Sequence, residues 1–225
     1  MNVTKRGWNL EAKDQDGNDI SEQISAEFEA IIQATRLEKI APGRTSMLLL
    51  LSVFGAYKAD RINPWQVASE IEALEKGAAT GLKPPIQNRH PPLKGLWHKH
   101  YMQPGLASLA INIRQGLNQF SIPYFDQKVR EAQEAGEKRY STIEDIAPIV
   151  NDAVQGNFQR LREAEGLTGE WIVFAKHEGL NYYLTLATHD ATTPKHERHK
   201  HERQLIEGIC YREFPFLEEM LRKEE

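Results

Sequence analysis

Apolar residues recur at helical spacing along most of this chain. Ile24, Phe28, Ile31 and Ile32 stand at i, i+4, i+7 and i+8, which predicts an amphipathic helix over about 21–36. From about Thr45 to Ala59 the run Met47-Leu48-Leu49-Leu50-Leu51, with Val53 and Phe54, is apolar nearly all round, the pattern of a helix buried at the centre of a bundle. Asn63-Pro64 reads as an N-cap with a first-turn proline. The helix it opens carries Trp65, Val67, Ala68, Ile71 and Leu74 to a stop at Gly77. Two glycines and two prolines then mark 77–85 as a connection.

Beyond that connection the spacing predicts more helices. Pro91-Pro92 opens a short one through Tyr101 or Met102, with Leu93, Leu96, Trp97, His100 and Tyr101 on one face. Pro104 begins the next, with Leu106, Leu109, Ala110, Ile113 and Leu117 along one side. Another fits about 124–135 and ends at Gly136. Ser141-Thr142-Ile143-Glu144 has the form of a capping box, and helix continues past Pro148 to about Glu165. Only at Trp171-Ile172-Val173-Phe174-Ala175 and Tyr182-Tyr183-Leu184-Thr185-Leu186 do β-branched and aromatic residues take over, separated by Glu178-Gly179-Leu180-Asn181, which predicts a β-hairpin. A charged helix over about 195–210, a link at Glu213-Phe214-Pro215-Phe216 and a last helix over 217–223 complete the chain. The fold class is therefore α+β and predominantly helical: an N-terminal bundle, a helical segment, and a C-terminal antiparallel hairpin packed with helices. The division expected is a helical subdomain over 1–80, and a second over 81–225 holding a basic helical window and the hairpin at 170–189.

Composition narrows this to a soluble globular chain: 225 residues, 40% hydrophobic, 27% charged, net charge −4. A single cysteine, Cys210, excludes an internal disulfide and a cysteine zinc cluster and suggests a reducing compartment. The segment 1–7 lacks the apolar region of a signal peptide, and Met47 to Val53 is too short to span a bilayer. The expectation is a cytoplasmic protein with no membrane partner.

Charge changes the picture more. Between Glu75 and Asp126 no acidic residue occurs, although 32 acids in 225 residues would place about seven there. Lys76, Lys83, Arg89, Lys94, Lys99 and Arg114 give this window +6, which leaves −10 on the remainder. Its densest part, Arg89 to Tyr101, adds His90, His98 and His100. In a helix His98 and His100 point about 200° apart, so they could not ligate one metal together. His98 with Lys94 would then face solvent and His100 would sit at the core margin.

No GxxxxGKS/T, GxGxxG, HExxH, GxSxG or paired CxxC motif is present, which disfavours nucleotide hydrolysis by a P-loop and Rossmann redox chemistry. Phosphate chemistry without a metal needs a proton carrier that titrates near neutrality, and cations to hold the phosphoryl oxygens. His98, His100 and His189 are the candidate acid/base residues. Arg89, Lys94, Lys99 and Arg114 are the candidate phosphate contacts, with Trp97 as a base-stacking surface. His189 leaves the second strand for the polar loop 190–194 and cannot share a site with His177 at the hairpin's other end. The run 195–203 reads as a solvated helix face, with His196 and His199 at zinc-like i, i+3 spacing but no third ligand in view. A helical N-terminal part followed by a hairpin with His, Lys, Arg and Tyr looks similar, over the C-terminal third, to metal-independent ribonuclease toxins. Such folds need about four strands, and the hairpin supplies two.

The function expected is an RNA- or nucleotide-directed, phosphodiester-cleaving enzyme that needs no cofactor and no metal. The alternatives are a non-catalytic module whose basic window docks nucleic acid or an acidic protein, a His-ligated metal hydrolase, and a structural protein whose partner covers the N-terminal helices. The acidic remainder would also allow the window of a second copy to dock, giving a homo-oligomer.

Overall fold

Four antiparallel strands run side by side in sequence order: β1 Ile86–Gln87, β2 Trp97–Tyr101, β3 Glu170–His177 and β4 Leu180–Ala187. The computed structural model describes residues 10–103, 105–139, 141–187 and 194–223. The hairpin predicted at 170–189 is β3 and β4 over the described residues, with Glu178 and Gly179 at positive φ in its turn. Trp171-Ile172-Val173-Phe174-Ala175 is buried without a break because both faces of β3 are covered. On one face Ile172, Phe174 and Tyr183 pack with Phe28, Ile32, Leu49, Leu50, Val53, Val67 and Ile71. Those residues come from helices α1 Ser21–Thr35, α3 Met47–Lys58 and α4 Pro64–Lys76; the short α2 Leu37–Ile40 joins α1 to the rest. On the other face Trp171, Val173 and Ala175 pack with Ile206, Cys210, Phe214, Leu217 and Leu221 of the C-terminal helical segment.

The N-cap read from sequence at Asn63 forms as expected, its Oδ1 accepting from Trp65 N–H before Pro64. The structure adds a cap on α3, where Ser46 Oγ accepts from Leu49 N–H. Gly77 ends α4 in the left-handed conformation at φ 63°. The capping residue of α7, Ile143–Asn151, is Thr142, paired with Asp145 rather than Glu144. Single π-helical turns, Asp152–Gly156 and Ile206–Cys210, interrupt the later helices; no sequence signal marks them.

Two expectations fail here. Residues 92–101 are not a helix. Gly95 takes φ 86° in a turn that Asn88 closes, accepting from Gly95 N–H and donating to Leu96 O, and the chain leaves it extended as β2. Pairing with β1 and β3 satisfies the backbone groups that a helix would have used, so tertiary context overrides local spacing. Nor does the division fall at residue 80. Contacts separate one unit of Met1–Ala78, Pro85–Gln103 and Glu170–Glu225 from another of Ala79–Pro84 and Pro104–Gly169. The N-terminal helices belong with the hairpin because they share its core.

The second unit is helical. Its helices are α5 Leu106–Phe120, α6 Pro123–Glu134, α7, and α8 Asn157–Glu163. Asn112 ties α5 to the end of the unit, exchanging hydrogen bonds with the backbone N–H and carbonyl of Thr168. Among the described residues no helix is long and apolar enough to cross a membrane.

Candidate functional site

Strand β2 reads Trp97-His98-Lys99-His100-Tyr101, and a strand sends alternate side chains to opposite faces. His98 and His100 therefore share a face, the reverse of the helical expectation. Their ring centroids lie 5.5 Å apart in an edge-on arrangement. Register places Trp171 of β3 opposite His100. The Trp171 indole stacks on His98 at 3.9 Å and 18°, meets His100 edge-on at 6.1 Å, and lies 5.2 Å from His199 of α9, Lys195–Leu205. One indole thus collects three imidazoles. His98 and His100 are each only 6% exposed. His98 Nδ1 is 3.0 Å from Asn88 Oδ1, just beyond the end of β1.

The opposite face of β2 holds Trp97, Lys99 and Tyr101. Lys99 is buried, with its ammonium 3.6 Å from the Glu70 carboxylate on α4. Tyr101 is fully buried, and its hydroxyl has no hydrogen-bond partner among the described residues. Burial pushes this phenol well above its usual range, and the nearby Glu170 charge adds to the effect. The Lys176 ammonium sits 3.8 Å over the Trp97 ring. Trp97 therefore offers no stacking surface beside the histidines.

The acid-free window does not survive as an acid-free surface. Helix α4 supplies the missing carboxylates in space, Glu72 to Lys76 and Glu70 to Lys99. Of the predicted phosphate contacts, Arg89 is exposed and Lys94 half-buried, both in the turn that Asn88 closes; Lys99 is inside the core. Arg114 is exposed on α5, in the other unit. His189 lies outside the described residues. His177 stacks on Phe216 at 3.9 Å, so it is a packed ring rather than a free turn residue. Among the described residues no three of His, Cys, Asp and Glu come together so as to hold a metal ion.

Sequence reasoning missed Asn88, Trp171 and Glu202, and weighed His199 only as a metal ligand beside His196. The His-Lys-His alternation of 98–100, flanked by Trp97 and Tyr101, was the available signal for a strand, and it was outweighed by the apolar spacing of Leu93, Leu96 and Trp97. Glu202 stands one turn beyond His199 and Arg198 on α9, with Oε2 fully buried and without a hydrogen-bond partner among the described residues. Burial pushes its carboxyl up to about 7, aided by Glu170 and opposed by Arg198. The fold therefore favours the protonated form. Its stabilising contribution is complete below the ordinary carboxyl value of 4.5 and is lost as pH rises through 7. Glu202→Gln is accordingly expected to gain about 2 kcal/mol over the parent between pH 4 and pH 8, once partial solvent exposure is allowed for. Urea unfolding at the two pH values measures this, and an equal difference at both would remove Glu202 as the titrating group.

The chain shows no significant match to any family model, to any curated protein or to any solved structure.

Proposed function

We propose that this protein is a metal-independent enzyme that cleaves RNA at a phosphodiester, with His98 and His100 exchanging the protons. One observation carries the reading: two imidazoles side by side on one face of β2, 5.5 Å apart and packed against the same indole. An inner strand of a sheet covered on both faces ordinarily carries valine, isoleucine or leucine. Here it carries three buried ionisable side chains in succession, His98, Lys99 and His100. Burying such groups is costly, and where the cost is met, function is a common reason.

Two imidazoles at this spacing suit a phosphate that bridges them from one side, each within hydrogen-bond reach of one oxygen. Without a metal-bound water the nucleophile is best supplied by the substrate, and RNA has one in its 2′-hydroxyl. One histidine removes the 2′-OH proton as that oxygen bonds to phosphorus. The bond from phosphorus to the 5′-oxygen breaks, and the second histidine gives its proton to the departing oxygen. The products are a 2′,3′-cyclic phosphate and a 5′-hydroxyl, with protons and charge balanced. Arg89 and Lys94, on the turn beside His98, would hold phosphates of the bound strand. Both imidazoles are covered, so RNA reaches them only once the side chains above them shift.

The test is incubation of purified protein with total RNA in EDTA, with the new ends analysed. Cleavage leaving cyclic phosphate is the expected result. Intact RNA in EDTA ends this reading, and cleavage restored only by zinc or manganese moves the case to a His-ligated metal hydrolase. Salt-dependent binding without turnover, abolished by Arg89→Glu with Lys94→Glu, would select a nucleic-acid-binding module.

A further inference from the structure

We infer that Asn88 is the positioning residue that decides which nitrogen of His98 carries the proton, leaving Nε2 as the basic nitrogen. The inference deepens the acid–base reading of His98 and rests on it.

A backbone carbonyl oxygen can only accept hydrogen bonds. Asn88 Nδ2 lies 3.0 Å from the carbonyl oxygen of Leu96, so the amide nitrogen must face Leu96. The reverse orientation would set two oxygens against each other. With the amide fixed in this sense, Oδ1 is the atom turned toward His98, 3.0 Å from Nδ1. An amide oxygen also only accepts, so Nδ1 must carry the hydrogen. In the neutral imidazole that places the lone pair on Nε2. Free histidine in water favours the opposite tautomer, so Asn88 selects the less common form.

The frame that imposes this is rigid. Asn88 N–H donates to the same Leu96 oxygen at 2.8 Å, filling its second lone pair, and the Asn88 carbonyl accepts from Gly95 N–H at 3.0 Å. Every polar group of Asn88 is therefore engaged. Trp171, stacked on His98 at 3.9 Å, restricts rotation of the ring. An asparagine is suited to the place in a way that aspartate is not, because only the amide can donate to Leu96 and accept from His98 at once. The same residue closes the turn that carries Arg89 and Lys94, so the imidazole and these two cations share one scaffold. A proton taken by Nε2 makes the ring an imidazolium, and Oδ1 remains a proper acceptor for Nδ1–H in that state. The positioning is thus unchanged across the proton transfer.

Nitrogen NMR of the full chain with labelled imidazoles tests this, with the His98 signals assigned by their loss in His98→Gln. Above the titration of His98, Nδ1 should be protonated and Nε2 bare; a proton on Nε2 in the unmodified protein overturns the inference. In Asn88→Leu the ring should revert to the Nε2–H form, and kcat on RNA should fall at least about 10-fold with KM nearly unchanged. Asn88→Asp should retain the Nδ1–H form and move the acid limb of the pH–rate profile to higher pH, because the added carboxylate makes His98 more basic. An Asn88→Leu protein that keeps the Nδ1–H form also overturns the inference. Should that variant fail to fold, the parent and Asn88→Asp spectra still decide. If the parent shows the expected tautomer while RNA stays intact in EDTA, the positioning by Asn88 stands and the proposed reaction falls.

Discussion

His98→Gln and His100→Gln are each expected to slow RNA cleavage by about 10²- to 10⁴-fold, the range over which a positioned proton carrier contributes. Glutamine is the informative replacement. Both imidazoles are packed against Trp171 and nearly inaccessible, so alanine would open a cavity and confound loss of chemistry with loss of fold. Glutamine retains bulk and polarity, and an unchanged near-ultraviolet circular dichroism spectrum would establish that the sheet is intact. The two losses should not add. The histidines act on one phosphate in one step, so the double variant should be little slower than the worse single one. The pH–rate profile separates their roles. A base must be deprotonated, so its titration sets the acid limb; an acid must be protonated, so its titration sets the alkaline limb. With Nε2 of His98 as the base, His98→Gln should flatten the acid limb and His100→Gln the alkaline one. Folded variants that cleave within about threefold of the parent would take both residues out of the reaction.

How much of this was legible before the structure depends on the distance over which each feature is determined. The cap at Asn63, the stop at Gly77 and the hairpin of β3 and β4 are set by neighbours within a few residues, and they form where the chain spells them. Strand β2 is set by partners far away. Its backbone bonds lie with Ile86 and Gln87 on one side and with Glu170 to Phe174 on the other, partners that residues 92–101 do not themselves identify. Misreading that one segment as a helix inverted the site. It turned His98 and His100 apart, sent His98 to solvent, and made Lys99 a surface cation. The local sequence did contain the correction, since Gly95 at φ 86° marks a turn and His98-Lys99-His100 alternates with period two. The carboxylates that meet the basic window are a different matter. Glu72 pairs with Lys76 one turn along the same helix, but Glu70 meets Lys99 only through the packing of α4 on β2, so charge counted along the chain could not reveal that Lys99 is paired. The unit boundary was hidden for the same reason. The residues between β2 and β3 fold among themselves, while the strands on either side of them pair directly.

Glu70→Ala is expected to destabilise the protein by about 3–5 kcal/mol, because it removes the carboxylate that faces the buried Lys99 ammonium. The side chains of the pair are 5% and 11% exposed, with the charges 3.6 Å apart, too far for a strong hydrogen bond to add to their attraction. In such a site the desolvation cost of the two charges nearly cancels their attraction. Removing both is therefore far milder than removing one. The double replacement Glu70→Leu with Lys99→Met should restore most of the stability lost by Glu70→Ala, and urea unfolding of the three proteins would measure it. The double variant also decides what Lys99 is for. Lys99 points to the face of β2 away from His98 and His100, toward Glu70 and the N-terminal helices, so a phosphate bridging the imidazoles lies beyond its reach. RNA cleavage by the double variant should stay within a few-fold of the parent. A stable double variant with cleavage reduced 100-fold would place Lys99 among the groups that act on the phosphate, and β2 would then work from both of its faces.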